Sequence, residues 1–204
     1  MRFIYLHGFA SSPQSRKARA FQAALAAHNI SLEIPDLAEG DFAHLTISGQ
    51  LLVIEKLLGN APCRIIGSSM GGYLASLYAA THPEVERLVL LAPAFGFPTR
   101  WQGSKTIDRW RETGWLDVFH YGERTIRPLH YGIVEDAGQY PDFPDANQPA
   151  FIFHGLNDSV VSIELSRTFS ATHGNADLRE MDSDHELLNV LDEITRESVL
   201  FLTR

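Results

Sequence analysis

Residues 64–81 read RIIGSSMGGYLASLYAAT, and this stretch decides the architecture. Arg64 to Ile66 is a short apolar run of strand type, and Tyr73 to Thr81 has the character of a helix. Between them lies Gly67-Ser68-Ser69-Met70-Gly71, which fits G-x-S-x-G with Ser69 at its centre. The letters alone are weak, since residue frequencies put such a pattern in about one chain of this size in fifteen. The context is informative, because a strand running into the motif and a helix running out of it is what a nucleophile elbow needs. Crowding is the physical reason. The central serine occupies a strained turn that lifts its hydroxyl from the sheet edge. Side chains two residues before and after it would collide with neighbouring backbone, and glycine at 67 and 71 avoids this. Gly72 leaves further room for close packing. The helix that follows points its N-terminus at the site, favouring a developing oxyanion. A phosphate cradle is the competing reading, but no G-x-G-x-x-G or Walker pattern accompanies these glycines. Ser68 stands one place off the pattern.

Outward from this turn, short apolar runs recur at Arg2 to Leu6, Leu32 to Ile34, Arg87 to Leu91, Ala150 to Phe153 and Leu178 to Met181. Most are apolar on both faces, as strands of a parallel sheet covered on both sides are. Helical spacing separates them. Ala18, Phe21 and Leu25 share one face; Ile47, Leu51, Ile54 and Leu58 share another; Leu187, Leu191 and Ile194 do the same near the C-terminus. Gly174 follows the pattern from Ser162 to His173 as a helix stop. Alternating strands and helices predict one α/β domain over residues 1–204, with a doubly wound, mainly parallel sheet of about six strands and helices on both faces. From Ala94 to Asn147 no clear strand is visible. This stretch holds Trp101, Trp110 and Trp115 together with Phe95, Phe97, Phe119, Phe143, Tyr121, Tyr131 and Tyr140. So long a connection is functional or disordered, and aromatics in this number argue against disorder. It reads as an aromatic-rich cap inserted at about residues 94–147.

A serine hydroxyl needs an adjacent base to become a nucleophile. In chain order Ser, then Asp or Glu, then His, the candidates are Asp158 in FIFHGLNDSVV and His185 in SDHEL. Both follow short strands, so both belong to the rim that carries Ser69, where ligands sit in open α/β sheets. Either one alone reads as a turn aspartate or a capping histidine; together, in this order, they read as catalytic. Asp182 and Asp184 are nearer His185 in sequence and are second choices for the acid. The first strand ends in His7-Gly8-Phe9, where Gly8 lets backbone approach the reacting carbon. The backbone N–H groups of Phe9 and Met70 are the expected oxyanion donors. His7 and His154 read as buried structural histidines, His120 and His130 as cap residues, and Cys63 as a packed thiol. No metal-ligand spacing is present, and no H-E-x-x-H. Arg16 and Lys17 open a helix after the oxyanion loop, read as a solvated helix end that can meet an acidic substrate group.

The formal net charge of -8 repels phosphate backbones and disfavours nucleic acid as a partner. One cysteine excludes an intrachain disulfide and suits a reducing compartment. The apolar run in MRFIYLHGF is too short for a secretory leader, and no apolar run reaches the roughly 18 residues of a membrane span. The expectation is a cytoplasmic protein acting on a small-molecule ester or thioester with no metal or organic cofactor.

YLHGFASSPQSRKA, GSSMGGYLA, HGLNDSVV and SDHEL occur in the order found in the α/β-hydrolase superfamily. The chain resembles that superfamily over nearly its whole length, and the opening stretch and GSSMGG resemble the small bacterial YqiA-like esterases. The resemblance implies a carboxylesterase or thioesterase, with Ser69, Asp158 and His185 at the triad positions and Phe9 and Met70 at the oxyanion positions. Only Met1 precedes the strand of the His-Gly loop, so a sheet without the superfamily's first two strands is expected. The alternatives on the same site are an acyl thioesterase or lipase, or a non-catalytic ligand-binding relative.

Overall fold

A computed structural model describes residues 1–100 and 105–204; Trp101 lies outside the described residues. In chain order the elements are β1 (Arg2–Leu6), α1 (Arg16–Ala26), β2 (Leu32–Glu33), α2 (Ile47–Leu58), β3 (Cys63–Ser68), α3 (Met70–Thr81), β4 (Val85–Leu91), α4 (Lys105–Thr113), β5 (Trp115–His120), β6 (Thr125–His130), α5 (Gly132–Ala137), β7 (Ala150–Gly155), α6 (Ile163–Thr172), β8 (Ala176–Met181) and α7 (Leu191–Leu202). Hydroxyl caps set several helix starts. Ser15 Oγ accepts from the Ala18 N–H, Thr46 Oγ1 from Gly49 and Ser162 Oγ from Glu164, each satisfying a donor that the first turn leaves unpaired.

Six strands form one sheet in the order β2-β1-β3-β4-β7-β8, and every neighbouring pair is parallel. Because strand side chains alternate, the sheet feeds two cores. Ile4, Leu6, Ile65, Leu88, Leu90 and Ile152 pack on the face covered by α2 and α3. Phe3, Tyr5, Ile66, Val89, Leu91 and Phe153 pack on the opposite face, against Ala18, Phe21 and Leu25 of α1 and Ile194, Val199 and Leu202 of α7. Both faces are covered, so the central strands are largely apolar on both faces, while edge strand β8 carries Asp177, Arg179 and Glu180.

The β4–β7 connection carries α4, the β5–β6 hairpin and α5. The sequence reading missed this antiparallel hairpin, in which Trp115 pairs with His130 and His120 with Thr125. Its strands are broken by Asp117, Arg127 and Pro128, so no continuous apolar run marks them. Pro128 is tolerated because a two-stranded ribbon consists of edges. Within the connection Trp110 Nε1 donates to the Leu129 carbonyl at 3.0 Å. Polar bonds also anchor it to the helices on the sheet: Tyr73 Oη donates to the Pro141 carbonyl at 2.9 Å. The Ser48 hydroxyl and N–H both donate to Asp136.

One local expectation also fails. Leu187 is not on the last helix; it sits in the left-handed region at φ 57° in the loop before a 3-10 turn, fully buried. The helix end expected before Gly174 is present: α6 stops as His173 turns extended, its N–H bonded to Phe169.

Candidate active site

Ser69 sits between β3 and α3 with φ 54° and ψ -117°, a conformation that L-residues other than Asn and Asp seldom adopt. The surroundings over-determine it. The Ser69 N–H donates to the Leu91 carbonyl at 2.8 Å, and its own carbonyl accepts from Gly72, Tyr73 and Ala94. A Cβ on Gly67 would overlap the Gly71 backbone, and one on Gly71 would overlap the Leu6 carbonyl. Both glycines are therefore required by close approach.

Asp158 lies in the loop after β7, and His185 in the loop after β8. Parallel pairing of Gly155 with Met181 brings those loops side by side. A Cβ on Gly155 would meet the Asp184 carbonyl at 2.5 Å, so the loops touch where only glycine fits. The Asn157 N–H donates to the Ser183 carbonyl at 2.9 Å, and Asn157 Nδ2 to Asp182 at 3.1 Å. The role of Gly155 is not visible in the sequence, because the neighbour it must admit lies about one strand away in space and far along the chain.

The three side chains predicted from distant stretches meet. His185 Nε2 is 3.0 Å from Ser69 Oγ, and His185 Nδ1 is 2.7 Å from Asp158 Oδ2. A carboxylate oxygen only accepts, so Nδ1 carries the hydrogen and Nε2 is left to accept from the serine hydroxyl. Asp158 has a fully buried side chain. Its Oδ1 accepts from the N–H groups of Val160 and Val161, each at 2.8 Å. His154 Nε2 lies 3.1 Å from Oδ2. Burial pushes the carboxyl pKa up, but the bonds from His154, His185 and Val161 outweigh it and hold the group well below the usual carboxylate range.

Asp182 and Asp184, the second choices for the acid, point elsewhere. Asp182 binds Asn157, and Asp184 caps the Glu186 N–H. The backbone N–H groups of Phe9 and Met70 have no acceptor among the described residues. Gly8 brings the first of them in, since a Cβ there would stand 3.4 Å from the Ser69 Cβ. His7 is buried and fixes this loop: Nδ1 donates to the Gly8 carbonyl at 3.0 Å, and Nε2 faces the Leu37 N–H at 3.5 Å. Burial lowers its pKa, which favours the neutral ring. Gln50 Nε2 contacts Met70 Sδ at 3.7 Å and steadies the other donor's residue.

His120 packs edge-on against Phe42 and accepts from the Glu123 N–H, while His130 accepts from Gly132. Cys63 is buried at the start of β3, and burial pushes its thiol up to about 11. Among the described residues no cluster of His, Cys, Asp and Glu is arranged to hold a metal ion, and no helix is long and apolar enough to cross a membrane.

A cavity of about 820 Å³ opens over Ser69 and His185. Its lining is apolar where the β4–β7 connection contributes Phe97, Trp110, Leu116, Leu129 and Ile133, the apolar limb. Ser15, Arg16 and Lys17 line it at the start of α1, the α1 limb. The hairpin tip leans on the Phe9 loop, with the Tyr121 N–H donating to the Ala10 carbonyl at 2.8 Å.

A six-stranded parallel sheet wound on both faces, with a strained serine between the third strand and its helix, is the α/β-hydrolase fold. Solved structures agree. Ferulic-acid-bound Est1E from Butyrivibrio proteoclasticus superposes with a TM-score of 0.82 at 21% identity, over 99% of this chain and 89% of that one. The alpha/beta hydrolase domain-containing protein 10 from mouse gives 0.84 at 18%, over 98% and 89%. The monoacylglycerol lipase of Paleococcus ferrophilus gives 0.75 at 15%, over 98% and 93%. Within that class the chain belongs to the uncharacterised protein family UPF0227, the YqiA-like proteins, which it matches over residues 2–202.

Proposed function

We propose that this protein is a serine hydrolase that cleaves small carboxylic esters through an acyl-enzyme. The observation that carries the reading is the hydrogen-bonded relay from Ser69 Oγ through His185 to Asp158, at 3.0 and 2.7 Å. Ser69 Oγ attacks the acyl carbon while His185 Nε2 takes its proton. Asp158 orients the imidazole and stabilises its cation. The N–H groups of Phe9 and Met70 receive the negative charge that develops on the carbonyl oxygen, aided by the N-terminus of α3. Collapse breaks the bond to the leaving group, which takes the proton from Nε2. Water then repeats the steps and releases the acid.

The β4–β7 connection is read as a cap over this centre, within a single domain. Its apolar limb suits the hydrocarbon part of an acyl group. The monoacylglycerol lipase and the alpha/beta hydrolase domain-containing protein, by their names, support hydrolysis as the class of reaction. The buried, unactivated Cys63 supports serine rather than cysteine as nucleophile and suits a cytoplasmic protein.

Hydrolysis of p-nitrophenyl butyrate tests the assignment. Ser69→Ala abolishes turnover, and Ser68→Ala retains it. Equal survival of both variants overturns the reading.

A further inference from the structure

The limb of the cavity at α1 has a charge arrangement that folding alone does not explain. Lys17 is only 9% exposed, yet its ammonium has no hydrogen-bond or ion-pair partner among the described residues. Arg16 beside it is exposed at the rim of the same cavity, also without such a partner among them. Both cations stand in the first turn of an 11-residue helix that has no acid there. That end of a helix carries the positive pole of its dipole and favours anions. The N–H groups of Arg16 and Lys17 have no acceptor among the described residues. The Lys17 side chain is buried along its stem, but its ammonium is not among the enclosed unpartnered polar atoms of the described residues, so the charge opens onto the cavity. Two cations and the N-terminus of a helix thus line one cavity.

Glu186, Asp158 and Asp184 act on the Lys17 charge through space, but none stands within ion-pair distance of its ammonium. Asp158 is committed to His154, His185 and two N–H groups. Asp184 caps Glu186. Glu186 lines the mouth but is exposed, and forms no ion pair with Lys17.

The position relative to the chemistry is equally specific. The leaving group must receive its proton from His185 Nε2, so it departs on the His185 side. Leu187, two residues after His185, packs in the same apolar cluster as Ala18 and Phe21 of α1. The apolar limb belongs to the other core, where Phe97, Trp110, Leu129 and Ile133 pack with Met70. The start of α1 is thus packed with the His185 loop, and the apolar lining with Met70.

We propose that the α1 limb is a leaving-group subsite for an oxyanion, carboxylate or phosphate, with Lys17 as its anchor and Arg16 at its rim. The inference rests on the acyl-transfer reading above and narrows its substrates to esters with an anionic alcohol portion.

The test measures kcat/KM by pH-stat at low ionic strength for butyryl esters of 1-butanol, 3-hydroxypropionate and 2-hydroxyethyl phosphate. Wild type favours at least one anionic ester over the butyl ester by about tenfold, the scale of a charged hydrogen bond, and added KCl shrinks that preference. The better anion names the chemistry, carboxylate or phosphate. Lys17→Met brings the anionic-to-neutral ratio close to one, and Lys17→Arg restores part of it. Arg100→Met, which alters another cation lining the cavity, keeps the ratio. Residual Ser69-dependent hydrolysis of the butyl ester reports that each variant is folded. A wild type that cleaves the butyl ester as well as both anionic esters overturns the subsite and leaves the hydrolase intact. So does a ratio that survives Lys17→Met. Failure to cleave any of the three overturns the acyl-transfer reading itself.

Discussion

His154 and Asp158 are joined inside the protein: Nε2 of the histidine lies 3.1 Å from Oδ2 of the aspartate, and both side chains are fully buried. That oxygen therefore serves two imidazoles, since His185 Nδ1 meets it at 2.7 Å. His154 Nε2 also lies 3.0 Å from the Val161 carbonyl, while Nδ1 faces Ser166 Oγ at 2.7 Å. With two acceptors at Nε2, the hydrogen is there, and Nδ1 accepts from the serine. The histidine read from the sequence as structural is thus also a positioning residue for the acid of the proposed triad.

Replacing it by leucine removes one donor from Asp158 and strands the Ser166 hydroxyl. His154→Leu is expected to lower stability by ~2–4 kcal/mol in urea unfolding. It is also expected to reduce kcat more than it raises KM, because the carboxylate loses one of its fixed positions. Unchanged kcat with the expected stability loss would make the histidine structural alone.

The depressed pKa of Asp158 ties stability to acid pH. A carboxyl whose folded pKa lies below its unfolded value stabilises the fold fully above the unfolded value of about 3.9. The contribution is lost as pH falls from there toward the folded value. The stability difference between wild type and Asp158→Asn is therefore constant near neutrality and shrinks below about pH 4. Urea midpoints of both proteins from pH 7 to pH 3 measure it, and a difference independent of pH contradicts the assigned charge.

The elbow glycines are predicted to tolerate no side chain. Gly71→Ala drives a methyl group into the Leu6 carbonyl, and the expected cost is about 4 kcal/mol or more, among the largest single-residue losses. Gly174→Ala is the control, with nothing within 4 Å of its Cβ and an expected change within about 0.5 kcal/mol. Soluble yield and thermal midpoints of the two variants make the comparison. Equal behaviour would mean that the turn can relax around a methyl group.

The six-stranded sheet was legible because each of its strands is apolar on both faces or bounded by turn residues, and the helices between them keep a 3.6-residue stripe. The β5–β6 hairpin was not. Its inner face rests on Leu116, Val118 and Leu129, interrupted by charges and a proline, and its tip is fixed by the remote Ala10 carbonyl. Leu187 keeps helical spacing with Leu191, yet its loop must turn back toward the sheet, and it does so at φ 57°. Ser69, Asp158 and His185 could be picked out by their order and their places after strands. The second imidazole on Asp158 and the close approach at Gly155 could not, because they exist only once β7 and β8 lie side by side.

Labelling with a fluorophosphonate, followed by peptide mapping, bears most directly on the proposed nucleophile. The expected result is one adduct per chain, on Ser69, absent in Ser69→Ala and formed more slowly in His185→Gln. An adduct that persists in Ser69→Ala, or a native protein that takes up no probe, would contradict an activated serine at this turn.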